Sequence, residues 1–585
     1  MGGFFKMFFA SLLALLIFSV IGFFIFLAFI GSLAASDRPV VEKNSVLTIN
    51  LGQLFMEQRV ESPLASLSSN DELTVPGVYD VVRLINKASS DEKIKGIYLV
   101  CGNNPNGFAT SEEIRNAIVE FKRSKKFVIA YGEMLNQKSY HIGNAADSIY
   151  INPKGFIDWA GFSSALFFLK GTLEKLDIQP QIFYAGKFKS ATEPFRTDKM
   201  TEENRLQTSV WLGDLYSHFL VKAAEARKID TATLHQYAND GTIKTPQDAL
   251  DRKLIDGLKY DDEVRDEIKG KLGLDKYERI NFISINSYYK TGTGKNFSGE
   301  KIALIYAQGD IIDGTGQEQS QIGSADYIKL IRKARLDKTI KAIVFRVNSG
   351  GGSALASETI WRELSLAKEE KPVVVSFGDV AASGGYYISC AADSIFASPT
   401  TITGSIGVFG IIPNMQGFFK NKLGVTFDGV KTGPYADLGA LYRPMSENEK
   451  QFVQQSIDEI YLTFKQRVGE GRKRPVEFID SIGQGRVWSG SHAIENGLID
   501  SFGGLQDAVA CAARMAKLTD YRLREFPEIQ SFFDKIFGRT DNTIKSQTLR
   551  NELGEDQYRI YQEMKRVKQM TNSAQARLPF EFFVD

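Results

Sequence analysis

Short runs of apolar, β-branched residues alternate with amphipathic stretches along most of this chain. The runs "IALIYA", "AIVFRV", "PVVVSF" and "SIFAS" predict strands, whereas "SADYIKLIRKARLD" and "SETIWRELSLAKEE" predict helices. In the second of these helices, Ser357 is the predicted N-cap and Glu358 lies in the first turn. Continuous apolar strands separated by helices predict an α/β fold with a mostly parallel sheet that is covered on both faces. The loops that follow the strands are then the expected place for a functional site.

The N-terminal segment departs from this pattern, because it carries no charge from Phe8 to Ala35. About 20 apolar residues span the hydrocarbon core of a bilayer, so we predict a membrane anchor over residues 1–36. A cleaved signal peptide is the alternative, with "SLAAS" as its cleavage site, but the apolar region of a signal peptide runs only about 7–15 residues. Lys6 is the only charge before the segment, and a short inside end with the rest of the chain outside is the simplest orientation.

The chain contains an internal repeat at a separation of about 246 residues. The stretch "NAADSIYINP" matches "CAADSIFASP", and "KIKGIYLV" matches "TIKAIVFRV" at the same separation. We therefore predict a tandem duplication and a C-terminal extension, within which "FFDKIFGR…EMKRVKQ" has a charged, helical pattern and an open role. The predicted boundaries are 44–285 for the first α/β repeat, 286–300 for a polar, glycine-rich linker, 301–520 for the second α/β repeat and 521–585 for the extension.

Composition excludes several classes of function. Lys and Arg number 71 against 70 Asp and Glu, so the charge excess that binds nucleic acid is missing, and no nucleic acid partner is expected. Cys101, Cys390 and Cys511 are far apart and form no CxxC pair, which argues for small core residues and against a zinc site or disulfides. The glycine-rich stretches match neither a phosphate loop nor a dinucleotide fingerprint. We therefore expect no cofactor and no metal.

Two glycine-rich junctions between a strand and a helix stand out in the second repeat: "VNSGGGSALAS" at 347–357 and "AASGG" at 381–385. Backbone amides at such turns can point together at a developing negative charge and form an oxyanion hole, although simple tight turns are the alternative. The second junction contains Ser383, a candidate nucleophile. The chain's histidines, none of which lies beside this serine or in a metal-binding spacing, are expected to be structural or at the surface. They are His141, His218, His235 and His492.

A lysine is the other candidate for the base, and comparison of the two repeats points to one. At the repeat separation, Ser383 falls opposite Gln137, so the first repeat has no serine there. The first repeat instead holds Lys189, where the second has Pro434 or Tyr435. Each repeat thus keeps half of a catalytic pair, which predicts one shared site between them.

A lysine acts as a base only when it is neutral. Its ordinary pKa is about 10.4, so its surroundings must disfavour the charged form by about 4 kcal/mol, which burial in an apolar interface can supply. Lys187 is a weaker candidate for the same role, and Lys431 is the main rival because it would make the pair local to the second repeat.

The motifs "VNSGGGS", "AASGGYYIS", "TGSIGVFG" and "GKFKSATEPF", together with the repeat and the anchor, closely resemble the long form of the signal peptide peptidase A (protease IV) family. The resemblance runs from the anchor to about residue 520. It implies two tandem α/β repeats of the Clp protease/crotonase type after an N-terminal transmembrane helix, and a homotetramer. It also implies a serine protease of the bacterial cytoplasmic membrane, with its catalytic part on the periplasmic side, that degrades remnant signal peptides.

The same resemblance assigns roles to individual residues. Ser383 would be the nucleophile, Lys189 the general base and Ser405 the residue that orients the lysine. The amide of Gly384 would form the oxyanion hole with that of Gly351 or Gly352, an ambiguity that arises because the family's usual NSPGG reads NSGGG here. A crotonase-like acyl-thioester enzyme with a carboxylate base and a non-catalytic membrane scaffold are the alternative functions.

Overall fold

The structure, a computed structural model, describes residues 2–34, 39–61, 74–292, 298–317, 320–528 and 574–578. Helix α1 (Gly2–Ala34) contains one stretch, Gly3–Ile25, that is long and apolar enough to cross a membrane, with a mean hydropathy of 2.7 and none of it buried in the protein. This helix fits the predicted anchor. The charged helix predicted within the extension lies outside the described residues.

The first repeat is built on a parallel sheet whose strands run in the order β8-β6-β5-β4-β1-β9. The apolar runs form its central strands, which are buried because helices cover both faces. The strands of this half are β1 (Ser45–Asn50), β2 (Val60–Glu61), β3 (Thr74–Val75), β4 (Ile94–Cys101), β5 (Phe127–Leu135), β6 (Ser148–Ile157), β7 (Gln179–Ala185), β8 (Gly257–Leu258) and β9 (Phe282–Ser284). Its helices are α2 (Val78–Ser90), α3 (Phe108–Lys122), α4 (Gln137–Gly143), α5 (Lys170–Lys175), α6 (Glu193–Arg196), α7 (Glu202–Arg227), α8 (Thr231–Asn239), α9 (Pro246–Asp251), α10 (Asp261–Leu272) and α11 (Ile285–Lys290).

The second repeat has a sheet of the same order, β20-β16-β15-β13-β10-β21, and β17 and β19 extend it beside β15. Its strands are β10 (Glu300–Gln308), β11 (Asp310–Ile312), β12 (Gln321–Gly323), β13 (Ile340–Ser349), β14 (Gly351–Ser353), β15 (Val373–Ala382), β16 (Ser394–Ala397), β17 (Ile402–Gly404), β18 (Val408–Asn414), β19 (Val487–Ser489), β20 (Ser501–Phe502), β21 (Tyr521–Phe526) and β22 (Gln575–Arg577). Its helices are α12 (Ser324–Leu336), α13 (Ala354–Glu370), α14 (Gly384–Ser389), α15 (Glu447–Arg472), α16 (Val476–Ile482), α17 (Gly490–Glu495) and α18 (Leu505–Met515).

The two sheets confirm the predicted duplicated α/β fold. Strands β4 and β13 begin at Ile94 and Ile340, and β6 and β16 begin at Ser148 and Ser394, in each case at the separation read from the sequence. Strands β9 and β21 occupy the same edge position in their sheets.

The N-cap predicted for α13 is wrong. The helix begins one turn earlier than predicted, because Ser353 at the end of the glycine-rich turn accepts a hydrogen bond from the Ala356 amide. Ser357 lies inside the helix, and its hydroxyl donates to the carbonyl of Ser353 at 2.8 Å. The N-cap is thus the first residue after the glycines whose side chain can accept a backbone hydrogen bond.

Two further predictions concern the linker and the cysteines. The first residues of the predicted linker, 286–300, belong to helix α11, which ends at Lys290. Tyr288 of this helix is buried in the core of the first repeat. Cys101 and Cys390 are buried and Cys511 is partly buried, and all three are free thiols.

A third sheet joins the two halves in the order β12-β11-β14-β22-β18-β7. Strand β7 comes from the first repeat and pairs antiparallel with β18 of the second, with Ala185 opposite Val408. The segment that follows β7 is therefore carried onto the second repeat. The pairing of β7 with β18 ties the two repeats together through backbone hydrogen bonds.

Buried charges also connect the repeats. The guanidinium of Arg346, on β13, donates to Glu57 at 2.7 Å and to Glu113 at 2.6 Å, and both carboxylates belong to the first half. Burial raises the pKa of Glu57, and the neighbouring Arg346 opposes this effect. Asp379 of the second repeat accepts hydrogen bonds from the amide and hydroxyl of Thr110, at the start of α3. The interface is thus polar and closely fitted.

The substitution Arg346→Met should lower the free energy of unfolding by about 3–5 kcal/mol, because it leaves two buried carboxylates without their cation. Denaturant titration in detergent measures this change. Arg123→Met is the matched control, since Arg123 is exposed and its pair with Glu120 lies at the surface. Equal stability of the two variants would contradict the importance of the buried network.

Candidate active site

Ser383 lies on a strained turn between β15 and α14. Its backbone has a φ of 54° and a ψ of −115°, which is a conformation that residues other than glycine rarely adopt. The turn is held because the Ser383 amide donates to the carbonyl of Gly404 at 2.8 Å, and the Tyr387 amide donates to the carbonyl of Ser383 at 2.8 Å. Such strain persists only where the surrounding structure imposes it, and it clusters at functional sites.

Lys189 comes from the first repeat, in the segment that follows β7. The Phe188 amide, just before it, donates to the carbonyl of Gln484 at 2.8 Å, which fastens this segment to the second repeat. Gly485 has a φ of 75°, and a Cβ atom there would lie only 2.7 Å from the backbone nitrogen of Lys189. The lysine segment therefore packs directly on a glycine of the other half.

The two side chains meet in a site without solvent access. The Lys189 Nζ lies 2.8 Å from the Ser383 Oγ, and it lies 3.0 Å and 3.2 Å from the hydroxyl and carbonyl oxygens of Ser405. Ser383 and Ser405 are fully buried and Lys189 is 1% exposed. Burial holds the pKa of Lys189 well below its ordinary value, because no charged neighbour in the described part of the chain offsets the cost of desolvation.

These three contacts suit a neutral amine. Its two N–H groups can donate to the carbonyl and hydroxyl oxygens of Ser405, and its lone pair can accept the proton of the Ser383 hydroxyl. Ser405 follows β17, has a φ of 52°, and is fixed by its amide, which donates to the carbonyl of Arg486 at 2.7 Å. Three oxygens thus define the position of the lysine nitrogen.

Gln207, on α7, is a supporting residue that the sequence did not reveal. Its amide group donates to the carbonyl of Phe188 at 3.1 Å and to the hydroxyl of Ser190 at 2.9 Å, on either side of Lys189. Its carbonyl accepts from the amide of Val487 in the second repeat at 3.1 Å. Gln207 therefore joins the lysine segment to β19, whereas in the sequence it is one of several polar residues on an ordinary helix.

Both glycine-rich junctions lie at this site. Gly351 has a φ of 99°, and a Cβ atom there would lie 2.6 Å from the amide nitrogen of Gly384. The Gly351 amide donates to the hydroxyl of Ser349 at 3.1 Å, within its own turn. Gly352 instead pairs with Ala576 of β22. Gly351 and Gly352 are the two candidates for the second amide of the oxyanion hole, and of these Gly352 is the one whose amide faces another chain segment.

The rival lysines lie on the surface. Lys187 is exposed, with its Nζ 5.3 Å from the centre of the Phe188 ring. The side chain of Lys431 is 39% exposed and forms an ion pair with Asp437. Neither side chain is buried as that of Lys189 is.

Two of the four histidines belong to a buried cluster in the first repeat. His141 and His218 lie 2.7 Å and 3.3 Å from the same carboxylate oxygen of Glu112. Burial alone would raise the pKa of Glu112, but the hydrogen bonds from the two histidines lower it overall. One side-chain atom from each of Glu112, His141 and His218 lies within 4.8 Å of the other two, and His141 hydrogen-bonds Glu112 directly. His492 bonds Asp214 across the repeats, and His235 is exposed beside Tyr216.

The model of peptidase family S49 matches residues 120–275 and 365–519, one stretch in each repeat. Protease 4 of Salmonella typhi is 38% identical over 82% of this chain and 78% of its own length. The chain belongs to peptidase family S49. A protein of Enterococcus faecium that carries the provisional name signal peptide peptidase SppA is 34% identical over 39% of this chain and 67% of its own length. A solved ClpP1 mutant from Listeria monocytogenes covers 35% of this chain and 94% of its own, with 16% identity and a TM-score of 0.24.

The substitution Gly485→Ala should lower kcat/KM for a peptide substrate at least 100-fold, because the added methyl group displaces the Lys189 backbone. Gly429→Ala is the matched control, since a Cβ atom there would meet nothing within 4 Å. Steady-state assays of both variants test this. Unchanged activity in Gly485→Ala would show that the lysine position tolerates displacement.

The buried amine should also make stability depend on pH. Between the lowered pKa of Lys189 and its ordinary value of about 10.4, the unfolded chain binds a proton that the folded chain does not. The free energy of unfolding of the native chain should therefore rise more steeply from pH 7 to pH 10 than that of Lys189→Met. Denaturant titrations across this range measure both slopes. Lys431→Met, at an exposed lysine, should keep the native slope, and equal slopes for all three proteins would mean that Lys189 is charged when folded.

Proposed function

We propose that this S49 peptidase is a membrane-anchored serine endopeptidase in which Ser383 and Lys189 form the catalytic dyad. The observation that carries the proposal is the 2.8 Å contact between the Lys189 Nζ and the Ser383 Oγ in a fully buried site. Burial favours the neutral amine, which is the form that can accept the serine's proton.

The reaction follows from these positions. The Ser383 Oγ attacks the peptide carbonyl while its proton passes to the Lys189 Nζ, and the lysine then delivers the proton to the leaving amine. Water hydrolyses the resulting ester, with the lysine again acting as base. Ser405 keeps the amine aligned through both steps, because its two oxygens hold the nitrogen at 3.0 Å and 3.2 Å.

Backbone amides supply the stabilisation of negative charge. We assign this role to Gly384, which follows the nucleophile, and to Gly352, because the Gly351 amide is already bonded to Ser349. Donors of this kind are fixed before the reaction begins and therefore stabilise the transition state more than the bound substrate.

The substrate class follows from the anchor and the relatives. A catalytic site tethered to a bilayer meets peptides that remain in the membrane, and the Enterococcus faecium relative is named for signal peptides. We propose remnant signal peptides and other extended, apolar peptides as substrates. The proposed location is the bacterial cytoplasmic membrane with the catalytic part on the periplasmic side, and the proposed assembly is a homotetramer.

The two alternative functions fit the site less well. A crotonase-like acyl-thioester enzyme would need a carboxylate base, yet within the described ranges the side-chain oxygen of Ser383 is bonded to the Lys189 amine and lies 3.5 Å from the carbonyl of Gly407. A membrane scaffold would not require the strained turn at Ser383 or a buried lysine.

Labelling with a fluorophosphonate tests the dyad in the intact membrane form. We expect covalent labelling of Ser383 in the native protein, and a loss of at least 100-fold in labelling rate in Ser383→Ala and in Lys189→Ala. The rate should fall as the pH drops through the lowered pKa of Lys189, since protonation removes the base.

Lys431→Ala is the matched control for the lysine, because this exposed residue should leave labelling unchanged. Retained labelling in Lys189→Ala together with its loss in Lys431→Ala would place the base in the second repeat and contradict the proposed dyad. Cleavage of a folded hydrophilic protein as fast as a signal-peptide remnant would contradict the proposed substrate class.

A further inference from the structure

The segment at residues 574–578, here called the tail peptide, lies between β14 and β18 in the third sheet. It runs antiparallel to both strands, with Gly352 opposite Ala576 and Phe409 opposite Gln575. The Ala354 amide donates to the carbonyl of Ala574 at 3.1 Å. The Leu578 amide donates to the carbonyl of Gly350, just before β14, at 2.7 Å. An extended peptide that pairs with the strands of a sheet is a common mode of peptide recognition.

The register places one tail carbonyl at the glycine-rich junctions. In an antiparallel ladder, every second pair of opposite residues is hydrogen-bonded. The pairs Ala354–Ala574 and Gly350–Leu578 are both bonded, so the pair between them, Gly352 and Ala576, is bonded as well. The Gly352 amide thus faces the carbonyl oxygen of Ala576. A Cβ atom built on Gly351 or Gly384 would lie 2.1 Å or 2.9 Å from the same oxygen. This carbonyl therefore lies where the proposed oxyanion hole would hold a substrate carbonyl.

The chain is held on both sides of this carbonyl. Ala576, Arg577 and Leu578 are almost fully buried. The guanidinium of Arg577 forms an ion pair with Asp310, and Leu578 belongs to the core of the first repeat. Ala574, on the other side, packs against the core of the second repeat. A protease needs its substrate seated on both sides of the bond that it cuts, and the tail peptide meets this condition.

We propose that the tail peptide is a substrate of this same site and that the protein cleaves its own chain between Ala576 and Arg577. The inference rests on the proposed function, because Ser383 and Lys189 carry out the step. A bond forms between the Ser383 Oγ and the Ala576 carbonyl carbon, and the bond to the Arg577 nitrogen breaks. The serine's proton passes through the Lys189 Nζ to that nitrogen. Water then hydrolyses the ester, which leaves a carboxylate at Ala576 and restores the serine hydroxyl.

The seated tail also closes the site. Ser383 is fully buried with the tail peptide in place, so another peptide must displace it before it can react. A tethered segment competes at a high effective concentration, and cleavage removes the residues that hold it beyond Ala576. Self-cleavage thus converts a closed site into one that other peptides can enter.

Intact-mass spectrometry of the purified full chain tests this proposal. We expect at least tenfold more chain that ends at Ala576 in the native protein than in Ser383→Ala. Ala576→Trp should stay uncut, because the larger side chain cannot fit the buried position of Ala576, whereas Ala436→Trp, at an exposed alanine, should be cut as the native chain is.

Fluorophosphonate labelling of the same samples separates the two proposals. Labelled native protein that remains uncut, or is cut at another bond, would overturn self-cleavage and leave the proposed dyad intact. Absence of labelling in both the native protein and Ala576→Trp would overturn the dyad itself. Equal cutting in the native protein and Ser383→Ala would assign the cut to another protease and also overturn the proposal. Labelling of Ala576→Trp with no cut at residue 576 supports it.

Discussion

The site depends on the burial of a lysine amine, because desolvation is what lowers its pKa. Among the residues that the structure describes, Lys189 has oxygen partners from two serines and no carboxylate beside it. The surrounding structure holds the lysine in its buried position. Gln207 and the turn at Gly485 fix the lysine backbone from two directions, and the segment follows strand β7, which pairs with β18 of the other repeat. Closing such a site therefore requires both halves of the chain.

Much of this arrangement could be predicted from the sequence because the duplication provides an internal comparison. The separation between the repeats aligns Ser383 with Gln137, and it identifies Lys189 as a residue without a counterpart. Strand and helix patterns predicted the two sheets for the ordinary reason that buried parallel strands are continuously apolar. The anchor could be predicted as well, since a charge-free apolar helix of this length matches the thickness of a bilayer.

Other features depend on contacts between distant segments and leave no local signal. The antiparallel pairing of β7 with β18 joins residues that lie more than two hundred positions apart, and neither strand shows which partner it has. Gln207 is indistinguishable from a surface glutamine until the fold places it beside Phe188. The segment around Ala576 is short and has no pattern of its own, so its place beside Gly352 follows only from the structure. The cap of α13 was misplaced because two serines flank the start of the helix and both suit the role.

The first repeat contains a counterpart of the turn at Ser383. In the first half, α4 begins at Gln137 after Asn136, whose backbone has an ordinary φ of −77° and whose side chain accepts a hydrogen bond from the Ser139 amide. In the second half, Ser383, which aligns with Gln137, has a φ of 54° and a ψ of −115° instead. The two repeats thus make the same strand-to-helix connection with different backbones: a capped helix start in the first and a strained turn in the second. The connection itself therefore does not require the positive φ at Ser383, because the first repeat makes the same connection with an ordinary backbone.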